Sequence, residues 1–553
     1  MVVPELKPWR AARPHVVRVV QTVKPRLARA AQALKPRAAR ITESVGPRLA
    51  RLTGVVKPHV ARVAHGVRPR SGKLTTPQLT AVAALLGLAL AAGAVTAAGP
   101  WDSTGQRTAE RERAVAWGRE GGADHGRPSG RTDAEPAPAP SAASVLFGLG
   151  GAANSTKSAP AGKALTGVLD QLLSDNALGT RRTAAVVDVA TGRRLYAKGA
   201  DEALTPASTT KIATAVAVLS AAGADHRFTT RAVLEPGTDK VVLVGGGDPT
   251  LTARTEKATD GWASLRTLAD RTAAALKKRN LASVTLSYDT SLFTGPAVHP
   301  IGENDNLAPV TALMADEGRT NDSTSGPATR SKDPAADTAR TFGDLLQDRG
   351  IKTSAPGPSK ATDRADALAS VQSPPLSAVV ERMLTNSDND IAEALARQTA
   401  LATGGQPSFD GGAAAIAGRL KSLGLPVGGA QFHDGSGLNR DDKLSADLLT
   451  ALLATAGSPS RPELRSVLTG LPVAGFTGTL SDRYEDAAER SGVGLVRAKT
   501  GSLTGVNTLA GTVVDSDGRL LAFAFLTDGS MNQTAARAAL DRTAAALASC
   551  GCR

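Results

Sequence analysis

A serine and a lysine lie three positions apart in the segment Ser208-Thr209-Thr210-Lys211, directly before an alanine- and valine-rich run. Pro206 ends the preceding extended segment, and the run predicts a buried helix that begins near the serine. Residues three apart share a helix face, so the lysine amine can accept the serine proton and create a nucleophile. The free N–H groups of the helix start suit a developing oxyanion. The alternative is a serine that caps the helix and a lysine that is solvated.

Two further motifs carry side chains that suit the same chemistry. A Ser-Asp-Asn motif at 387–389 interrupts two helical segments, and a Lys-Thr-Gly motif at 499–501 ends a predicted strand. A second Ser-Asp-Asn at 174–176 precedes the serine and is expected only to end the first helix. Each motif alone is weak. A nucleophile at a helix start, Ser-x-Asn between helices and Lys-Thr-Gly at a strand edge are specific in combination.

Hydrophobic periodicity predicts that these motifs lie in a domain of mixed helices and strands. Beyond the helix after Lys211, helices are predicted at 165–173, 262–278, 336–348 and 531–547. Strands are predicted at 184–189, 194–197, 241–245 and 282–288, and a three-stranded meander at 494–500, 505–514 and 520–527.

The three motifs together resemble those of the penicillin-recognising serine D,D-peptidases, the penicillin-binding protein and serine β-lactamase superfamily. Within it the chain is most similar to the penicillin-binding protein 4 type D-alanyl-D-alanine carboxypeptidase/endopeptidase group, peptidase family S13. Gly-Gly-Gly-Asp-Pro-Thr-Leu at 245–251 and Asp-Gly-Ser-Gly-Leu at 434–438 also match this group. The resemblance covers roughly residues 163–549.

The resemblance implies an α/β fold whose catalytic domain is an antiparallel sheet flanked by helices, with an inserted domain. The expected division places a first catalytic segment at 163–230, the inserted domain at 231–364 and a second catalytic segment at 365–549. Whether the insertion forms one or two subdomains stays open, because it is short for two.

The resemblance also implies how each motif acts on a peptide ending in D-Ala-D-Ala. Ser208 would attack the carbonyl of the penultimate D-alanine, Lys211 would take its proton, and Ser387 would relay a proton to the leaving D-alanine. Backbone N–H groups of Ser208 and Ser502 would form the oxyanion hole. Two lysines near one serine would lower each other's pKa, which favours a neutral Lys211. The expected substrate-binding residues are Asn389, Lys499, Thr500, Gly501 and Ser502.

The expected partners are peptidoglycan stem peptides ending in D-Ala-D-Ala, with β-lactam antibiotics as inhibitors. One alternative is a serine β-lactamase, but the Glu-x-x-Leu-Asn pattern with which class A enzymes aim the deacylating water does not follow Asn389. Another is a non-catalytic cell-wall-binding scaffold of the same fold. No cofactor or metal is expected, since the chain has no His-Glu-x-x-His. It also has no Gly-x-Ser-x-Gly, so His226, His299 and His433 are assigned local structural roles.

The basic character of the chain belongs to its first segment. The whole chain of 553 residues has a formal charge of +14, and residues 1–73 hold 17 of its 65 Lys and Arg but only two of its 51 acids. Prolines recur there every eleven residues from Pro14 to Pro69. Short amphipathic helices on anionic membrane lipids and a disordered basic tail are both compatible with this repeat. The remainder is close to neutral, so nucleic acid is not an expected partner.

A run without charged residues from Leu79 to Ala98 is long enough to cross a bilayer. With basic residues before it, we expect a single-pass anchor at 74–99, a cytoplasmic N-terminus and an extracytoplasmic catalytic domain in the cell membrane. A cleaved signal peptide is the alternative, although the segment before the run is long for one. Residues 100–162 are rich in Pro and Ala and predict a disordered linker. The pairing state of Cys550 and Cys552 stays open.

Overall fold

The computed structural model describes residues 162–255 and 261–550. In chain order its helices are α1 (Gly162–Leu172), α2 (Thr210–Ala222), α3 (Leu265–Lys278), α4 (Pro334–Gln347), α5 (Leu376–Asn386), α6 (Asn389–Ala402), α7 (Phe409–Ser422), α8 (Ala446–Gly457), α9 (Arg465–Thr469) and α10 (Gln533–Ser549). The strands are β1 (Arg181–Asp188), β2 (Arg194–Lys198), β3 (Ala203–Leu204), β4 (Thr229–Leu234), β5 (Lys240–Val244), β6 (Ser283–Asp289), β7 (Lys352–Thr353), β8 (Gly357–Pro358), β9 (Asp366–Gln372), β10 (Leu444–Ser445), β11 (Val496–Leu503), β12 (Val506–Val514) and β13 (Leu520–Asp528).

The catalytic domain is built on a five-stranded antiparallel sheet in the order β11-β12-β13-β1-β2. The predicted C-terminal meander is confirmed as β11, β12 and β13, with Gly501 opposite Thr508. Strand β11 lies at one edge of this sheet, so its Lys-Thr-Gly motif has a neighbouring strand on one side only. The other side is left for the nucleophile segment and for substrate.

Helices cover both faces of this sheet because side chains of successive strand residues point to opposite faces. Ala522, Ala524 and Leu526 of β13 join the core formed with α2, α5, α6, α7 and α8. Phe523 and Phe525 join the other core, with α1 and α10. The antiparallel sheet flanked by helices that the resemblance implied is therefore confirmed.

The second domain is a six-stranded sheet inserted between the two segments of the catalytic domain. Strand β4 pairs antiparallel with β5 and β9, whereas β5 and β6 are parallel. Helices α3 and α4 pack on the sheet through a core that includes Leu268 and Phe342. The sheet extends beyond the proposed bounds of 231–364, because β4 begins at Thr229 and β9 ends at Gln372.

The structure does not test the predictions for the N-terminal segments. Among the helices of 162–255 and 261–550, none has the length and apolarity that crossing a membrane requires. The tail at 1–73, the anchor at 74–99 and the linker up to residue 161 lie outside the described residues.

Candidate active site

Ser208 lies in a single 3-10 turn, Ala207–Thr209, that leads directly into α2. The carbonyl oxygen of Pro206, just before the turn, ties it to β12. This oxygen accepts hydrogen bonds from Thr209 Oγ1 in the turn (2.7 Å) and from Thr508 Oγ1 of β12 (2.8 Å). Ser208 is partly exposed, whereas Lys211, one turn later, is completely buried. The lysine Nζ lies 3.0 Å from Ser208 Oγ, as the spacing in sequence predicts.

Lys211 Nζ has two further partners, and together they define what the amine can do. It lies 2.7 Å from the Ser436 carbonyl oxygen and 2.7 Å from Asn389 Oδ1, which are both acceptors only. A neutral amine has two N–H groups and one lone pair. In the neutral form, donation of both N–H groups to these oxygens leaves the lone pair for Ser208 Oγ. The contacts therefore arrange Lys211 as a base for the serine proton.

Burial lowers the pKa of Lys211 to about 8, while the charges of Asp434 and Glu393 oppose this shift. The expectation that Lys211 has a lowered pKa agrees with the structure, but the cause proposed from sequence is wrong for this lysine. Desolvation of the buried ammonium is the dominant cause, rather than repulsion by the second lysine.

The turn at 434–437 supplies the carbonyl that positions Lys211. Asp434 Oδ1 accepts hydrogen bonds from the backbone N–H groups of Ser436 (3.0 Å) and Gly437 (2.6 Å). Thr214 Oγ1 of α2 donates to the Gly435 carbonyl at 2.6 Å. A Cβ on Gly437 would lie 1.9 Å from the Ala207 carbonyl oxygen, so only glycine lets this turn approach the nucleophile segment.

The Ser-Asp-Asn motif lies between α5 and α6, as predicted. Ser387 has a left-handed backbone (φ 59°) at the end of α5, and the Asp388 side chain caps α6 through the Ile391 N–H. Asn389 Oδ1 contacts Lys211, and its Nδ2 donates to the Asn306 carbonyl at 3.0 Å. Within the described part of the chain the Ser387 hydroxyl makes no hydrogen bond. The structure therefore joins Asn389 to Ser208 through Lys211, and places Ser387 in the turn just before Asn389.

The Lys-Thr-Gly motif on β11 packs against the nucleophile segment. A Cβ on Gly501 would lie 2.7 Å from the Pro206 carbonyl oxygen and 2.1 Å from Thr508 Oγ1, so glycine is required for this contact. Lys499 is completely buried, and its Nζ donates to the Thr500 carbonyl at 2.8 Å. Burial and then the charge of Lys211 lower the pKa of Lys499 well below its usual value. Here the predicted repulsion between the two lysines does contribute.

The two polar side chains that follow Lys499 each contact a residue that sequence reasoning did not single out. Thr500 Oγ1 lies 2.9 Å from Thr479 Oγ1. Ser502 Oγ accepts a hydrogen bond from Arg537 Nη2 of α10 at 3.2 Å.

The inserted domain also contributes His299, whose place beside the site sequence reasoning did not predict. His299 is buried, its Nε2 lies 3.2 Å from Asp434 Oδ2, and its Nδ1 accepts the Ile301 N–H. The neutral tautomer that donates to Asp434 satisfies both contacts. His299 therefore has a structural role, as expected, but that role supports the turn beside Lys211. His433 is exposed, and its backbone N–H donates to Asp442 Oδ1.

A second link between the domains is a buried network of ions. Arg330 lies 2.8 Å from Asp390, next to Asn389 on α6, and Arg319 lies 2.8 Å from Glu317. The backbone N–H of Ala308 donates to Asp390 Oδ1 at 2.9 Å. Segment 304–330 of the inserted domain thus fixes the start of the helix that carries Asn389. No spacing in the sequence signals these contacts.

Two groups of buried acids have the spacing of a metal site, and neither fits a metal ion. In His299, Glu393 and Asp434, the side-chain atoms already bond one another or backbone N–H groups such as that of Gly435. In the second group, Glu317 and Asp390 pair with arginines of the ion network, and Asp388 accepts the Ile391 N–H. In the described ranges these oxygens are engaged by protein cations and donors, which leaves a metal ion little to bind.

Comparison with known proteins places this site in a family. The family model described as "D-Ala-D-Ala carboxypeptidase 3 (S13) family" matches residues 165–329 and 320–549. The chain is similar to "Carboxypeptidase DacB" of Mycolicibacterium smegmatis, with 37% identity over 67% of this chain and 81% of that protein. It is also similar to "Carboxypeptidase Rv3627c" of Mycobacterium tuberculosis, with 36% identity over 75% of this chain and 90% of that protein.

A solved structure supports the same fold. Penicillin binding protein 4 from Haemophilus influenzae matches with a TM-score of 0.57 and 22% identity, over 69% of this chain and 98% of that one. Because the family model spans both segments of the catalytic domain and the insertion between them, the chain belongs to the D-Ala-D-Ala carboxypeptidase 3 (S13) family.

Proposed function

We propose that this protein is a serine D-Ala-D-Ala carboxypeptidase that acts on peptidoglycan stem peptides through an acyl-enzyme on Ser208. The observation that carries the proposal is the set of contacts around Lys211 Nζ. Two acceptors take its N–H groups, and the remaining direction faces Ser208 Oγ at 3.0 Å. The similarity to proteins named carboxypeptidase supports the same reaction.

In acylation, Ser208 Oγ bonds to the carbonyl carbon of the penultimate D-alanine as its proton passes to Lys211 Nζ. The backbone N–H groups of Ser208 and Ser502 stabilise the tetrahedral oxyanion. The C–N bond then breaks, and the proton reaches the leaving amine of the terminal D-alanine through Ser387. In deacylation, water attacks the ester, gives a proton to Lys211 and releases the shortened peptide. Ser208 then recovers its proton from Lys211.

The remaining motif residues bind the substrate in this scheme. Asn389, beside Lys211, lies along the acyl part of the peptide. Lys499 lies on β11, close enough to Lys211 for their charges to interact, and Thr500 and Ser502 offer hydroxyls to the terminal carboxylate. Gly501 lets β11 approach the Ser208 turn closely enough for these contacts to form.

We expect the acyl group to be released slowly, which would make the protein a target of penicillin rather than a β-lactamase. The buried glutamate closest in sequence to the Ser-Asp-Asn motif is Glu393, and both its oxygens accept the Gly435 N–H (3.1 and 3.2 Å). This engagement leaves it poorly placed to orient a water molecule. The structure of Haemophilus influenzae penicillin binding protein 4 in complex with a β-lactam supports penicillin sensitivity in this fold.

The test is to incubate the full chain with a pentapeptide ending in D-Ala-D-Ala and with a cross-linked muropeptide, and to analyse the products by mass spectrometry. We expect loss of one D-alanine from the pentapeptide, blocked by prior treatment with benzylpenicillin. Cleavage of the cross-link as well would add endopeptidase activity. A wild-type protein that neither releases D-alanine nor is labelled by penicillin would support the non-catalytic scaffold instead.

We also propose that residues 74–99 anchor the enzyme in the cell membrane, with residues 1–73 in the cytoplasm against anionic lipids. The uncharged run and the basic residues before it support this orientation. Protease added to intact cells is expected to degrade the catalytic domain and to spare a tag at residue 1. Recovery of the full enzymatic activity from the medium, with the tail removed, would indicate a cleaved signal instead.

A further inference from the structure

A cavity of about 610 Å³ lies in the inserted domain, on the face of its sheet opposite α3 and α4. Ala232 and Leu234 of β4 face those helices, whereas Arg231 and Val233 face the cavity, because side chains alternate along a strand. No residue of the three catalytic motifs lines it. A volume in this range is typical of a site for a small molecule or a short peptide segment.

The wall of this cavity is fixed by hydrogen bonds to the sheet. The loop 360–363 forms part of the wall. Asp289 Oδ2 accepts the Ala361 N–H at 2.9 Å, and the two oxygens of Glu235 accept the Thr362 N–H (2.9 Å) and Thr362 Oγ1 (2.6 Å). The cavity is therefore formed before a ligand arrives, and binding does not have to order the loop.

The cavity has more cationic than acidic side chains, since Arg227, Arg231 and Lys360 line it together with Asp289 and Asp363. Both oxygens of Asp289 accept backbone N–H groups, and Arg227 donates to a backbone carbonyl at 2.7 Å. Arg231 is exposed, and in the part of the chain that the structure describes it makes neither a hydrogen bond nor an ion pair. Its guanidinium is available to an anion from outside.

The rest of the lining suits an amide and small apolar groups. Val233, Val244 and Ala367 supply apolar surface. Gln398 of α6 donates through Nε2 to the Gly246 carbonyl at 3.0 Å, and its Oε1 accepts no hydrogen bond from the described residues. A ligand that offers a carboxylate to Arg231, an N–H to Gln398 and methyl groups to the apolar surface is a short alanine-rich peptide with a free carboxylate.

The cavity lies within reach of a polymer that is bound at the active site. Helix α6 begins at Asn389 and carries Gln398 nine residues later, so the cavity wall is about 14 Å along this helix from the site. About five extended residues span this distance. Peptidoglycan presents many stem peptides on one polymer, so two of them can reach the two places together.

We propose that this cavity is a second peptidoglycan subsite, in which Arg231 binds a carboxylate of one stem peptide while a neighbouring stem peptide is at Ser208. The inference rests on the proposed function and extends it from a single peptide to the polymer. Binding at the subsite raises the effective concentration of stem peptides at Ser208 and makes no contact with the reacting bond. The enzyme therefore prefers polymeric over monomeric substrate through KM rather than kcat.

The test uses the full chain and two substrates: a pentapeptide ending in D-Ala-D-Ala, and glycan chains without cross-links that carry the same pentapeptide. For Arg231→Ala we expect KM per stem peptide to rise about tenfold on the glycan chains, with kcat unchanged. KM on the free pentapeptide should stay within about twofold of wild type. Arg231→Lys keeps the charge and is expected to raise KM on the glycan chains only about threefold.

Arg271 provides the matched control, because it lies on α3, on the opposite face of the same sheet, where it donates to the Ser370 carbonyl at 2.9 Å. Arg271→Ala removes the same charge and should leave KM on both substrates as in wild type. Equal rises of KM on the glycan chains in the two variants would indicate general attraction to a basic surface and overturn the inference. An unchanged KM in Arg231→Ala would overturn it as well.

A binding measurement separates the subsite from the active site. Wild-type protein acylated by benzylpenicillin has its cleft occupied, and we expect it still to bind the glycan chains in a sedimentation assay. Acylated Arg231→Ala should bind them about tenfold more weakly. Failure of the proposed function has a different signature, because the wild-type protein would then neither hydrolyse the pentapeptide nor be labelled by penicillin, and the inference would fall with it.

Discussion

Ser208→Ala is expected to lower D-alanine release by about 10⁴-fold or more and to abolish covalent labelling by fluorescent penicillin. The acyl-enzyme needs an oxygen nucleophile, and the neighbouring hydroxyl of Thr209 bonds the Pro206 carbonyl (2.7 Å) and is buried. Removing a nucleophile commonly costs this much, while the oxyanion hole and substrate binding preserve a small residual rate. Steady-state kinetics and mass spectrometry of the labelled active-site peptide provide the measurement.

Ser174→Ala is a matched control for this variant. Ser174 also begins a Ser-Asp-Asn sequence, but its hydroxyl only donates to the Gln171 carbonyl at 2.6 Å, on the exposed end of the first helix. We expect full activity and full labelling. Penicillin labelling that persists in Ser208→Ala, on another residue and at the wild-type rate, would show that the nucleophile has been misassigned.

The sequence was informative where chemistry is carried by short motifs and regular periodicity. Ser208 and Lys211 lie one helical turn apart, so three residues of spacing were enough to predict their contact. The C-terminal meander was predicted because its strands are continuous apolar runs bounded by turns. Strand β13, from Leu520 to Asp528, is almost entirely buried and follows this pattern.

The sequence was less informative where tertiary packing overrides local preference. Helix α7, from Phe409 to Ser422, was not predicted. It contains Gly411 and Gly412, which disfavour an isolated helix. In the fold, a Cβ on Gly412 would lie about 3.0 Å from the backbone of Ala396, so the glycine permits close packing of α7 on α6. That benefit depends on a partner helix and leaves no periodic signal.

The support that the inserted domain gives to the site could not be predicted for a similar reason. His299 and Asp434 are separated by 135 positions, and Asn306 and Asn389 by 83. Neither pair belongs to a motif with fixed spacing. A buried histidine is common in protein cores, so a structural role was the natural assignment for His299. Only the fold shows that this role acts on the turn that holds Lys211.

Lys211→Met is expected to reduce the rate of acylation by about 10⁴-fold, because the variant keeps the side-chain volume but has no base. The wild-type acylation rate should rise with pH and level off above pH 8, since the pKa of Lys211 is lowered to about 8 and only the unprotonated amine accepts the serine proton. Stopped-flow acylation by a chromogenic cephalosporin between pH 6 and 9.5 measures this rise of the rate with pH. In Lys211→Met the rise should be absent.

The same lysine links catalysis to stability, with a sign that can be tested. Its pKa is about 8 when folded and 10.5 ordinarily, so between these values the unfolded chain binds a proton that the folded protein does not. The unfolding free energy of wild type relative to Lys211→Met should therefore rise between pH 8 and 10.5, by up to about 3 kcal/mol. Urea unfolding of both proteins at pH 7.5 and 9.5 gives the difference. Two results together would contradict this role: a difference in unfolding free energy that does not change with pH, and an acylation rate that still rises with pH in Lys211→Met. Another group would then be the base, and Lys211 would only fill the space beneath Ser208.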